Sequence, residues 1–122
     1  MWDTSVLIDV LRGLPSAAEY AKTLVEAPTC SEITRVEVLR GLRSDERRRT
    51  ERLFETLRWI DVDEPIARRG GEFGRQWGRS HQGIATADLI IAATADVHEL
   101  ELATLNLKHF PMVRGLRLPY EP

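Results

Sequence analysis

The run Ile84-Ala85-Thr86-Ala87-Asp88-Leu89-Ile90-Ile91-Ala92-Ala93-Thr94-Ala95 does most to restrict what this chain can fold into. Its apolar residues fall on nearly every side of a helix, which predicts a buried helix rather than a half-wet one. The alanines are strong helix formers, and Thr86 is placed to cap the N-terminus. One carboxylate, Asp88, stands in the first turn. It could simply supplement the cap, because a helix N-terminus favours an anion. In an apolar wall, however, an ionised carboxylate costs several kcal/mol unless something compensates its charge. The compensating group must come from elsewhere in the chain.

Length and composition narrow the field. The 122 residues suit one domain, residues 1–122, with a core of its own. Apolar residues make up 43% and charged residues 30%, as in ordinary globular proteins. No apolar run is long enough to span a bilayer, and no basic-then-apolar signal pattern opens the chain. Membrane association is therefore not expected. Cys30 is the only cysteine, so an internal disulfide is excluded and a reducing cytoplasm fits. The net charge of -2 argues against wholesale nucleic-acid binding through bulk electrostatics. The positive charge is nonetheless of one kind. Lys22 and Lys108 are the only lysines among 17 basic residues, and arginine is the better fork for phosphate or carboxylate.

In chain order, Asp3 or Thr4 starts a short helix through Val6 to Leu11, closed by Gly13. Only two residues precede Asp3, which leaves little room for a strand there. Pro15 suits a first helical position, and Ser16 to Glu26 reads as a second amphipathic helix. Pro28 to Ser31 reads as a brief strand, with Ser31 capping a helix from Glu32 to Leu42. On that helix Ile33, Glu37 and Gly41 share a face beside Val36, which sets Glu37 toward the apolar side. Ser44-Asp45-Glu46 starts another helix, with Leu53, Phe54 and Leu57 on its buried side. Arg47, Arg48, Arg49 and Arg52 form a basic face that is either merely solvated or set for an RNA backbone. Trp59 to Val62 alternates like a strand. Asp63-Glu64-Pro65 opens a helix in which Ile66, Gly70, Phe73 and Trp77 recur at helical spacing. Ser80-His81-Gln82-Gly83 reads as a loop, Leu100 to Thr104 as a strand, Lys108 to Pro111 as a turn, and Val113 to Leu118 as a last short strand.

Short strands alternating with helices predict an α/β fold with a mainly parallel sheet flanked by helices. In such sheets the functional crevice lies outside the carboxyl ends of the strands. Asp3, Glu37, Asp88 and Asn106 can all converge on that rim. Three carboxylates there repel one another: at about 5 Å and an effective dielectric near 20, each pair costs roughly 3 kcal/mol. A hard divalent cation cancels that cost, and these oxygen ligands suit Mg²⁺ or Mn²⁺. Such an ion polarises a phosphoryl oxygen and acidifies bound water, the chemistry of phosphodiester hydrolysis.

The order of the segments is more specific than any single acid. Asp3-Thr4-Ser5, Thr34-Arg35-Val36-Glu37-Val38-Leu39-Arg40-Gly41, Asp88-Leu89-Ile90-Ile91-Ala92-Ala93 and Thr104-Leu105-Asn106-Leu107-Lys108-His109-Phe110 together resemble the PIN-domain family. Within it the chain looks most like the VapC toxins of type II toxin–antitoxin pairs. The resemblance implies a single PIN-like domain acting as a metal-dependent endoribonuclease with Mg²⁺ or Mn²⁺ as cofactor. It also implies a cognate VapB-type antitoxin as partner and a homodimer. Asp3, Glu37 and Asp88 match the family's three metal-site acids. Thr104 and Asn106 match its final patch, where many members carry a further acid; here that position is the neutral Asn106.

Two other readings stand beside this one. A receiver-like phosphoryl-transfer domain also gathers acids at a sheet rim, with Lys108 late enough to serve as its lysine. It needs an acceptor aspartate at the end of a central strand, for which Asp61 and Asp63 are the candidates. A non-catalytic PIN-like module binding RNA or protein is the second, with Asn106 as a mark of lost activity.

Overall fold

A computed structural model of the chain describes residues 1–78 and 83–122. The loop expected at Ser80-His81-Gln82 lies outside the described residues. Helices α1 (Thr4–Leu11) and α2 (Pro15–Lys22) precede strand β1 (Thr29–Ser31), which runs directly into α3 (Glu32–Arg40). A 3-10 turn (Ser44–Glu46) leads into α4 (Arg47–Glu55), followed by β2 (Arg58–Ile60), α5 (Glu64–Trp77), α6 (Thr86–Val97) and a last 3-10 turn (Leu107–His109).

The sheet is small and parallel. β1 pairs with β2 in the register Thr29–Arg58, Cys30–Trp59, Ser31–Ile60. Trp2 extends it: its N–H donates to Thr29 O at 2.8 Å, and it bridges in parallel to Ala103. The first residues thus lie between β1 and the 101–104 segment. Pleating sends alternate residues to opposite faces. Trp2, Cys30, Trp59 and Ala103 join one core with Val6, Leu7, Val38, Phe54 and Leu57. Met1, Ile60 and Leu102 join the other with Ile66, Phe73, Ile91, Ala92 and Phe110. Both faces are therefore covered, as a parallel sheet requires. Cys30 is fully buried, and burial pushes its thiol up to about 12, so it serves as core filler.

Several elements differ from expectation, each for a local reason. The expected strand Leu100–Thr104 reduces to the single bridge at Ala103, because the chain turns into α1 at once after Asp3 and offers nothing longer to pair with. Val113–Leu118 forms no strand, since Gly115 turns the backbone with a φ of 70°. α2 ends at Lys22 rather than Glu26: the Thr23 hydroxyl donates to Tyr20 O at 2.6 Å, and Val25 beyond it is fully exposed, with no apolar face to bury. β2 begins one residue early and ends at Ile60, because Asp63 is already capping α5 by accepting from Ile66 N at 3.2 Å. On α3 the buried residues are Thr34 and Val38, whereas Val36 is 57% exposed. The Asp88 helix is buried only from Ile91 to Ala95, and its first turn reaches the surface. No described helix is long and apolar enough to cross a membrane.

Candidate active site

Asp3 occupies the N-cap position of α1, where an aspartate usually accepts a backbone N–H of the first turn. Here its side chain makes no cap bond. Its Oδ2 instead accepts from Thr104 Oγ1 at 2.7 Å and from Ser5 Oγ at 2.8 Å. The residue is only 3% exposed, and among the described residues nothing donates to its Oδ1. The α1 N-terminus and the two hydroxyls hold its charge without neutralising it.

Glu37 comes from the second turn of α3, which starts sharply because Ser31 caps it by accepting from Ile33 N at 3.2 Å. Thr4 Oγ1 donates to Glu37 Oε1 at 2.6 Å and lies 2.9 Å from the hydroxyl of the buried Thr34. Thr4 therefore couples the starts of the two helices and sets the Glu37 carboxylate at the margin of the core.

Asp88 lies at the third position of α6. Ala85, not Thr86, is the N-cap and has no side-chain oxygen, so Asp88 closes the cap itself by accepting the Ala85 backbone N–H. The cap role and a functional role thus coexist. Burial raises the Asp88 pKa above the usual carboxylate range, with the charges of Asp3 and Glu37 adding to the rise. His109 and the Ala85 N–H oppose it. Asp88 therefore feels the charges of two acids carried by two other elements.

Asn106 is exposed, and its backbone N–H donates to Thr104 Oγ1 at 3.0 Å. It belongs to the same small network as Asp3, one hydroxyl removed. His109, read from sequence as part of a turn within the last of the family-like segments and given no role there, stands with its Nδ1 3.2 Å from Asp88 Oδ2. No local pattern shows that contact, because it spans the whole connection from α6 to the final turn. The buried Phe110 beside it is the nearest thing to a signal.

The donor set is all hard carboxylate oxygen, which fits Mg²⁺ or Mn²⁺. The acids do not form a finished cage, and among the described residues no group of three His, Cys, Asp or Glu side chains is arranged to hold an ion as it stands. Beside Glu37 opens a groove of about 530 Å³ between α1, α3 and the start of α4. Its apolar lining is Ile8, Leu11, Val38 and Leu42, beside which stand Arg12, Arg43, Asp45 and Glu46. On α4, Arg47, Arg48, Arg49 and Arg52 are all exposed.

A short parallel sheet, helices on both faces and three coupled acids define an α/β protein with an acidic site. The chain belongs to the PIN domain family, whose model matches residues 1–115. Ribonuclease VapC19 of Mycobacterium tuberculosis is 42% identical over 121 residues, covering 97% of each chain. Ribonuclease VapC1 of Methanocaldococcus jannaschii is 32% identical over 121 residues, covering 95% of this chain and 83% of that one. Among solved structures, a toxin–antitoxin complex from Klebsiella pneumoniae matches with a TM-score of 0.85 at 31% identity, covering 99% of this chain and 98% of that one. A DNA-bound VapBC from Salmonella typhimurium matches with a TM-score of 0.77 at 25% identity, covering 97% of this chain and 94% of that one.

Proposed function

We propose that this chain is a VapC-type toxin, an endoribonuclease whose acids work with a bound Mg²⁺ or Mn²⁺. The observation that carries the reading is the meeting of Asp88 with the charges of Asp3 and Glu37, the buried Asp3 being held by the hydroxyls of Thr104 and Ser5. Relatives named ribonuclease VapC, aligned over nearly the whole chain, support it further. A receiver-like domain has less support: Asp63 is taken up in capping α5, and Asp61, which directly follows β2, is not among the charges that act on Asp88.

Asp3 and Asp88 are the residues that would hold the cation most directly, with Glu37 completing the acidic cup. When bound, the ion supplies charge stabilisation at the phosphoryl oxygens and acidifies a water. The protein's own groups do the rest. Thr104 and Ser5 fix Asp3, and Thr4 fixes Glu37 where it can orient and deprotonate the attacking water. Asn106, exposed at the rim, offers an amide to a phosphate or to water. The arginines of α4 would steer the RNA backbone without reading sequence.

A VapB-type antitoxin is the partner this reading requires, as in the toxin–antitoxin complexes that the chain matches. The groove between α1 and α3 would seat an amphipathic helix on Ile8, Leu11, Val38 and Leu42. An arginine following that helix would reach the acids and compete with the cation. The chain would act as a homodimer.

Induced expression followed by mapping of RNA 5′ ends tests the activity. Wild type should create new ends at a restricted set of sites, and Asp88→Asn should create none of them. Identical maps for both proteins would remove the nuclease reading.

A further inference from the structure

The three acids account for ion binding in number but not in rigidity. Asp88 is held by one backbone N–H within its own helix, and its first turn is the exposed end of α6. The side chain that meets it from outside is His109, with Nδ1 3.2 Å from Oδ2. The His109 side chain is 49% exposed and that of Asp88 16%, so the contact stands between a half-exposed ring and a mostly covered carboxylate.

His109 is not a loosely held surface residue. Its own N–H donates to Asn106 O at 2.9 Å, and the next residue, Phe110, is 1% exposed in the core against α5 and α6. Asn106 N in turn donates to Thr104 Oγ1 at 3.0 Å, and Thr104 donates to Asp3 Oδ2 at 2.7 Å. One continuous path therefore runs from Asp3 through Thr104, Asn106 and the final 3-10 turn to His109 and Asp88. It joins the two acids assigned above as the principal ligands.

We propose that His109 is a positioning residue, which fixes the Asp88 carboxylate relative to Asp3 through its Nδ1 contact and so prepares the pair for a cation. The contact is an ion pair when the imidazole is protonated, and because a carboxylate only accepts, it is Nδ1 that would carry the proton facing Oδ2. Carboxylate ligands are commonly oriented by such outer partners, and losing one typically costs about 10–100-fold in metal affinity. The assignment rests on the reading of the site as cation-dependent.

Two variants separate the donor from the ring. His109→Asn keeps an N–H on the atom corresponding to Nδ1 and removes the ring. His109→Phe keeps the ring and removes the donor. Titration calorimetry of the full chain with Mn²⁺, without RNA, should show His109→Phe binding roughly ten-fold or more weaker than wild type, and His109→Asn within about three-fold of it. Thermal unfolding without metal should be similar for all three proteins. If the phenylalanine variant fails to fold, His109→Ala makes the same donor deletion. Donor-less variants that bind Mn²⁺ as tightly as wild type, or more tightly, would overturn the assignment while leaving the site intact. A wild-type chain that binds no Mn²⁺ and cleaves RNA without it would overturn the cation reading as well.

Discussion

At Asp88 one side chain meets two demands. It closes the cap of a helix whose N-cap, Ala85, has no oxygen to offer, and it stands within reach of the charges of Asp3 and Glu37. The second demand has a thermodynamic consequence. Burial and those two charges raise the Asp88 pKa, so the folded state binds its proton more tightly than the unfolded state does. The favourable contribution is then complete below the unfolded value of about 3.9 and is lost as pH rises through the raised folded value. Asp88→Asn keeps an acceptor for the Ala85 N–H and removes the charge. Without metal at pH 7 it should melt higher than wild type by roughly 3–6 °C, for about 1 kcal/mol of relieved repulsion and desolvation. The gain should vanish near pH 3.5. Melting curves across pH 3–8 check this, and a gain independent of pH would show that charge is not the cause.

The elements explain why the acids were visible in the sequence and their final partner was not. Helix signals are local, so the cap at Ser31, the cap at Asp63 and the glycine after α1 could be read from a few residues each. Strand signals here were weak because the strands are three residues long or shrink to a bridge, and pairing is decided by distant chain segments. Asp88 and Glu37 drew notice as acids in apolar surroundings, whereas His109 sits in a polar turn that only tertiary packing carries to Asp88. The α5–α6 pair shows the same division. Gly70 lies on the face of α5 whose residues recur at helical spacing, and a Cβ there would lie 3.5 Å from Leu89 O, while one on Gly71 would meet nothing. Gly71→Ala should therefore stabilise the protein by about 0.5–1 kcal/mol through helix propensity alone. Gly70→Leu should cost roughly 1–3 kcal/mol by forcing the helices apart next to the Asp88 turn. Denaturant titration of both variants checks the contrast, and equal effects would mean that the α5–α6 contact does not constrain position 70.

At the scale of the whole molecule, the fold brings together groups that are far apart in sequence. Trp2 is pinned between β1 and the 101–104 segment, which delivers Asp3 to Thr104 across almost the full length of the chain. α1 and α3 meet through Thr4 and Thr34, and that meeting delivers Glu37. α6 packs on α5 and delivers Asp88. The result is a concentration of negative charge with a groove opening beside Glu37. The most direct test is cleavage of RNA by the purified chain in Mg²⁺ and in excess EDTA, beside Asp88→Asn. The account predicts cleavage that EDTA abolishes, that added Mg²⁺ or Mn²⁺ restores, and that Asp88→Asn lowers by roughly 100-fold or more. Full-rate cleavage in excess EDTA, or by the Asp88→Asn protein, would contradict it.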